Sequence, residues 1–308
     1  MENNDANKNQ DDFETAWNIA KQVYPFFSFK KINWDSLHIK YKPLAQHAKG
    51  DEIYTVLFDM FKELKDGHIE IHTNGGFPIP TYSWPRDIDR NSFSPIVVST
   101  YIGKEYRLAG KNNISYEIFN NIGYIYLSTF TEGNWINDFD FILNYMKNTE
   151  GLILDVRNNG GGSGSTTDFV ISRFISQAIQ ERIIFSDGRY REWAVYPNSN
   201  LTYKNDVVIL INGSSFSAAE MFPDLMRQLS NVTIVGDTTG GGGGSNDIYY
   251  LPSGKRIKMP NCYFTRLDSS MVEWNGIIPD VVVEQTETDK KNGTDKQLEM
   301  AIKILKEK

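Results

Sequence analysis

Three short apolar runs constrain this chain more than any other feature: LILDV from Leu152, VVILI from Val207 and VTIVG from Val232. Each is about five residues long, too short for a helix that must bury a stripe, but suited to a strand covered on both faces. The first two break into Gly- and Ser-rich turns and then into helical patterns, TTDFVISRFISQAI and SAAEMFPDLMRQL. Strands alternating with helices at this spacing give an α/β core.

The remainder divides into distinct stretches. Residues 1–12, MENNDANKNQDD, are polar and lack the apolar core of a signal peptide, so they read as a disordered leader or a trimmed spacer. From 13 to 66 the pattern is helical: Phe13, Trp17, Ile19, Ala20 and Val23, then Ile53, Val56, Leu57, Met60, Phe61 and Leu64, fall at spacings near three and four. After Gly67 the stretch HIEIHT alternates with period two, as a strand does. SPIVVSTYI, EYRLAG, SYEIF and NIGYIYLSTF read as further strands, WINDFDFILNYMKN as an amphipathic helix and IYYLPSGKRIKMP as a hairpin. The tail TDKQLEMAIKILKEK is a helix opened by Thr294 or Asp295. The expected organisation is a leader (1–12), a small helical unit (13–66) and a core (67–308), with a loop-rich β segment at about 73–115.

Charge and composition exclude several functions. A formal charge of −7 with no basic stripe argues against nucleic-acid binding by counterion release. No apolar run approaches the roughly 20 residues of a membrane span. The single cysteine, Cys262, permits no internal disulfide and reads as a small buried hydrophobe.

Three turns could carry chemistry. DVRNNGGGSGS, Asp155 to Ser165, lies between strand and helix and leaves backbone N–H groups open to close approach. It lacks the spacings of a phosphate loop or a dinucleotide fingerprint, so an oxyanion hole and a plain tight turn both fit. In Ser217-Ala218-Ala219-Glu220 the serine matches a capping box. It also suits a nucleophile, with Ala218 N–H and the positive helix end beside it. GDTTGGGGGSND, with Gly240, Gly241, Gly242, Gly243 and Gly244 in a row, reads as a mobile lid or substrate-binding loop. Bases are few. His68, Glu70 and His72 share a strand face and could hold a metal; His68 alone as a general base uses its near-neutral pKa directly, with an acidic limb at about pH 6 to 7.

Five strings in order carry a resemblance: ELKDGHIEI, LILDVRNNGGG, SSFSAAEMF, VEWNGIIPDVVV and the opening YPFFSFKKINWDSL. Together the chain resembles the C-terminal processing (tail-specific) peptidase and tricorn-core family of serine peptidases, in its histidine-containing, tricorn-like branch. The resemblance implies a ClpP/crotonase-like ββα-superhelix after a helical N-terminal unit. It implies Ser217 as nucleophile, His68 as base and Glu273 as supporting acid. Gly161 and Ala218 N–H groups, with Gly160 and Gly162 as alternatives, would form the oxyanion hole. The lysine of the tail-specific Ser–Lys dyad is missing; Lys255 and Lys258 lie too far along and in too polar a stretch. Gly67 replaces the serine that precedes the tricorn histidine. The stretch from His72 to about Ser115 is too short for the PDZ domain that many members insert.

The expected function is a serine endopeptidase acting on peptides or unfolded polypeptides through an acyl-enzyme, without metal or organic cofactor. Its location would be the cell envelope, or else the cytoplasm. A non-catalytic binding module on the same fold, as in the family's retinoid-carrying members, is the alternative. A metal hydrolase is the third reading.

Overall fold

The computed structural model describes residues 2–73, 78–83, 93–133 and 135–307. The chain opens with α1 (Glu2–Val23), α2 (Phe27–Lys30), α3 (Trp34–His47) and α4 (Glu52–Lys62), followed by β1 (Glu70–His72) and β2 (Pro78–Pro80). Next come α5 (Pro95–Ile102), β3 (Arg107–Ala109), β4 (Ile114–Phe119), β5 (Ile122–Leu127) and α6 (Trp135–Tyr145). Then follow β6 (Gly151–Asp155), α7 (Gly164–Ile171), β7 (Ile179–Phe185), β8 (Tyr190–Val195), β9 (Asp206–Ile211), α8 (Ala218–Met226) and β10 (Val232–Gly236). The chain closes with β11 (Gly244–Tyr250), β12 (Arg256–Tyr263), β13 (Val281–Val282), α9 (Glu287–Lys291) and α10 (Lys296–Glu307). They form two compact units: residues 1–84, 182–191 and 244–264, and the rest.

In the first unit α1, α3 and α4 pack through the apolar positions read from the sequence, with Phe13, Ala20, Ile53, Leu57, Met60 and Phe61 fully buried. Trp17 and Trp34 each donate the indole N–H to the other's carbonyl, at 3.2 and 3.0 Å. Strand β12 organises the unit's sheet. β1 pairs with its first residues (Glu70 opposite Lys258) and β7 with its last (Tyr263 opposite Ile184). The edge strand β11 runs along its other side.

Two expectations about the first unit are corrected. Residues 2–12 are helical and not a disordered leader. Asn9 donates to the carbonyls of Ala48 and Gly50, and buried Asp12 accepts from Ser253 N and Oγ and pairs with Lys255. Polar composition suggested solvation, but these polar groups are buried with partners, which removes the cost of burying them. The boundary at 66/67 also moves, because HIEIH joins the hairpin β11–β12 and so belongs with the helices. Cys262 is buried, as its bland reading required.

The second unit holds a seven-stranded sheet in the order β13-β10-β9-β6-β5-β4-β3. β5, β6, β9, β10 and β13 are parallel, whereas β3, β4 and β5 form antiparallel pairs. The order follows the chain, so every crossover steps the same way and the strand–helix units stack as a superhelix. LILDV and VVILI are its central strands and almost wholly buried. Arg157 is completely buried: its guanidinium is held by Asp155 at 2.6 Å, Asp295 at 2.8 Å and the Gln297 amide oxygen at 3.1 Å, and lies over the Phe93 ring. Asp295, rather than Thr294, opens α10, accepting Leu298 N at 2.9 Å. SPIVVSTYI is corrected to a helix. Ser94 accepts from Val97 N and Pro95 takes the first helical position, and these start signals outweigh the β propensity of Val97 and Val98.

Candidate active site

The parallel strands β6 and β9 end side by side, and hydrogen bonds join the turns that follow them. Ser215 Oγ donates to Val156 O at 2.8 Å, and Phe216 N to Asn159 O at 3.0 Å. Asn158 and Asn212 exchange two bonds: Asn158 N to Asn212 Oδ1 at 3.0 Å, and Asn212 Nδ2 to Asn158 Oδ1 at 2.8 Å. Ser214 and Ser215 are buried, and Ser215 is committed to this junction.

Ser217 follows at the start of α8, partly exposed, with φ 58° and ψ −123°. That is a strained backbone for a residue with a Cβ, of the kind retained where function requires it. Ser217 and Glu220 make the reciprocal pair of a capping box, but the Ser217 hydroxyl makes no cap hydrogen bond of its own. Instead Ser217 N donates to Glu220 Oε2 at 2.8 Å, and Glu220 N donates to Ser217 O at 2.7 Å. Ala218 occupies the first helical position, where an N–H has no intrahelical acceptor, and its N–H makes no hydrogen bond among the described residues.

Gly161 sits against this serine: a Cβ there would lie 2.8 Å from Ser217 Cβ and 2.9 Å from Ala218 N, and its φ is +91°. Its role as an oxyanion donor is corrected, however, because its N–H is already given to Asn159 Oδ1 at 2.8 Å. Gly161 provides close approach. The N–H groups of Gly160 and Gly162 make no hydrogen bond among the described residues, which leaves them as the donors this turn can offer beside Ala218.

The glycine run is corrected as well. Gly240 to Gly244 are all buried. Gly240 N donates to Ser215 O at 2.9 Å, Gly241 N to Glu220 Oε1 at 2.7 Å, Gly242 N to Glu220 Oε2 at 2.6 Å and Gly243 N to Glu273 Oε2 at 3.1 Å. These N–H groups are spent inside the protein, so four of the five expected lid glycines form a fixed strut; Gly244 begins β11. Glu273 is almost fully buried at the other end of that strut, and Trp274 N returns a bond to Gly241 O at 2.9 Å. Ser217, Ala218, Gly161, Gly240–Gly243 and Glu273 thus all belong to the second unit.

His68 belongs to the first. It is buried, its N–H donates to Asp66 Oδ1 at 2.9 Å, and its ring Nδ1 lies 3.7 Å from the same oxygen. Burial pushes its pKa down to about 4, against the pull of Asp66 and with help from Lys258 and Lys30. Asp66, wholly buried, also accepts from Tyr24 Oη at 2.8 Å and pairs with Lys30 at 3.4 Å. Burial opposes its charge, but Lys30 and His68 outweigh this and hold its pKa below the usual range. The sequence reading passed over Asp66, though an acid two residues before the histidine was visible. Glu70, the middle of H-x-E-x-H, pairs with Lys258 at 3.2 Å and His72 at 3.3 Å, which ties it to the sheet. Lys255, expected in a polar setting, is buried, but it is held by Asp12 at 3.2 Å and Ser253 Oγ at 2.9 Å, as a structural ammonium rather than a dyad base.

Comparison with known proteins identifies the family and the fold. The profile of "Peptidase family S41" matches residues 121–283 and that of the "Tricorn protease C1 domain" residues 5–64. The carboxy-terminal-processing protease of Bartonella bacilliformis is 26% identical over 191 residues, 59% of this chain and 43% of that protein. The tricorn protease of Thermoplasma acidophilum is 29% identical over 186 residues, 60% of this chain and 16% of that one. The chain therefore spans less than half the length of these curated relatives. A crystal structure of a protein from Parabacteroides merdae, assigned as a peptidase, superposes with a TM-score of 0.83 at 30% identity, over 97% of this chain and 96% of that one. The fold is the ClpP/crotonase-like superhelix that the sequence implied, and the chain belongs to peptidase family S41.

Proposed function

We propose that the chain is a serine endopeptidase that cleaves peptides or unfolded polypeptides through an acyl-enzyme. The observation that carries this reading is Ser217. It is strained and partly exposed, its hydroxyl makes no cap hydrogen bond, and it stands at the positive end of α8 beside the Ala218 N–H, which has no acceptor among the described residues. In the proposed reaction Ser217 Oγ attacks the peptide carbonyl, and His68 takes its proton and passes it to the leaving amine. The oxyanion is received by Ala218 N–H and by a second N–H from the Gly160–Gly162 turn. Water then releases the acyl group by the same steps in reverse. A buried His68 is neutral at pH 7, which suits an acceptor. Glu273 has the supporting role that the family resemblance gives it. The chemistry draws on no metal or organic cofactor.

The test is a peptide-library digest with wild type and Ser217→Ala, together with labelling by a serine-directed phosphonate. Cleavage and labelling by wild type alone are expected; equal cleavage by Ser217→Ala rejects the reading, and intact binding without cleavage by wild type favours a binding module. A cell-envelope location belongs to the same proposal and rests on family habit; fractionation of the producing cell checks it. No described helix is long and apolar enough to cross a membrane.

A further inference from the structure

Glu220 is used far beyond the needs of a helix cap. A capping-box glutamate has to accept one bond, from the N-cap N–H. Glu220 is fully buried and accepts four: Ser217 N (2.8 Å) and Gly242 N (2.6 Å) on Oε2, and Gly241 N (2.7 Å) and Thr239 Oγ1 (2.5 Å) on Oε1. An ionised carboxylate offers about four acceptor sites, so every one is filled, and all four partners are donors. Thr239 Oγ1 in turn accepts Ile277 N at 2.6 Å, on the far side of the turn that carries Glu273.

We infer that Glu220 is a positioning residue that keeps Ser217 from becoming an ordinary helix cap and couples it to the loop that holds Glu273. The inference rests on the reading of Ser217 as nucleophile. A serine at an N-cap ordinarily takes an extended backbone, and its hydroxyl oxygen accepts an N–H from the first turn. Here Ser217 has φ 58°, and the Glu220 N–H that its side chain would cap is bonded to its carbonyl oxygen instead. The Glu220 carboxylate fixes the direction of Ser217 N–H and therefore selects the strained conformer. The same carboxylate grips Gly241 and Gly242, and the next N–H in that strut, Gly243, meets Glu273. Without the clamp, Ser217 relaxes to the common cap and its hydroxyl is turned into the helix.

The experiment separates positioning from mere folding. Wild type, Glu220→Gln, Thr239→Val and Thr239→Ser are each titrated with the phosphonate to count competent sites, and kcat and KM are then measured per titrated site; Ser217→Ala, which has no site to titrate, is assayed per mole of protein. The glutamine amide sets donors against donors. Glu220→Gln should lose on the order of 10²-fold in kcat per titrated site, as misplacement by about an ångström can cost, with KM nearly unchanged. Thr239→Val should lose less, in the same direction, and Thr239→Ser should recover most of that loss because it restores the hydroxyl. A kcat per titrated site equal to wild type in Glu220→Gln, with fewer titratable sites, overturns the inference, since that is what a purely structural residue would give. If Glu220→Gln does not fold, the Thr239 pair decides: wild-type kcat per site in Thr239→Val overturns it, and loss rescued by serine supports it. Wild-type turnover in Ser217→Ala would instead reject the nucleophile itself, a different failure from normal Glu220→Gln beside a dead Ser217→Ala.

Discussion

Ser217 and Glu220 are joined by two backbone-anchored bonds, Ser217 N to Glu220 Oε2 at 2.8 Å and Glu220 N to Ser217 O at 2.7 Å, which leave the serine hydroxyl out of the helix cap. The motif that suggested a cap is therefore present, but the cap is built from the serine's main chain.

That division of labour predicts an asymmetry between activity and stability. Ser217→Ala should lose about 10⁴ to 10⁶ in turnover while changing stability by no more than about 1 kcal/mol, because no side-chain cap is lost. Ser217→Gly should be at least as stable as Ser217→Ala. Relief of a strain of roughly 1–3 kcal/mol meets or exceeds the roughly 1 kcal/mol entropic cost of glycine. Urea midpoints of the two variants test this, and a glycine variant clearly less stable than the alanine one would show that φ 58° is not strained here.

The glycine run should behave as core. Gly240 to Gly243 have bonded N–H groups and are buried, so their amides should exchange slowly in the free protein, close to the protection of β9. Gly241→Ala should be destabilising by about 2 kcal/mol or more, since a Cβ at φ +85° would lie 2.9 Å from the Trp274 backbone. Fast exchange over these four residues without peptide would restore the mobile lid.

The limits of the sequence reading lie in the same places. LILDV and VVILI were legible because few elements besides a strand covered on both faces use so short and so predominantly apolar a run, interrupted in the first only by Asp155. The spacing of Ser217 and Glu220 was legible too, but not whether hydroxyl or main chain would serve the cap. Five glycines read as mobile because composition registers only missing side chains; the carboxylates that hold them come from Glu220 and Glu273, 21 to 30 residues away in sequence. His68 was visible as a candidate base, but its unit was fixed by pairing between Glu70 and Lys258, 188 residues apart, which no local pattern encodes. In SPIVVSTYI the β-branched residues outvoted a Ser-Pro start signal that proved decisive.

His68 makes a pH prediction that differs from that of an exposed imidazole. Its pKa is lowered to about 4, first by burial, and a base acts only when neutral. Thus kcat/KM should rise with pH through a midpoint near 4 to 5, not at pH 6 to 7. Asp66 raises this pKa, so Asp66→Asn should move the limb lower, and Lys258→Ala should move it higher. The stability sign is that of a depressed group: its contribution is present above pH 6.5 and is lost as pH falls through about 4. A limb that stays at pH 6 to 7 in wild type and in Asp66→Asn would remove His68 as the base.

Glu181 should make the protein less stable as the pH becomes alkaline. It takes an inward position of β7 between buried Ile179 and Ile183, and its two carboxyl oxygens find no hydrogen-bond partner among the described residues. Burial, and then the nearby Asp168, raise its pKa to about 8. Asp168 is itself raised by burial, against a hydrogen bond from Trp193 Nε1 at 3.0 Å. A raised folded-state pKa contributes stability that is complete below the unfolded value of 4.5 and is lost as pH climbs through 8. At about 1.4 kcal/mol per pH unit, the loss up to pH 8 should total a few kcal/mol. Glu181→Gln keeps the shape but cannot ionise, so its stability should be nearly flat from pH 6 to 9 and should exceed wild type at pH 9. Urea unfolding of both proteins at pH 6, 7.5 and 9 measures the two slopes. Parallel slopes would mean that Glu181 is ionised throughout that range, with a counter-charge the described residues do not supply.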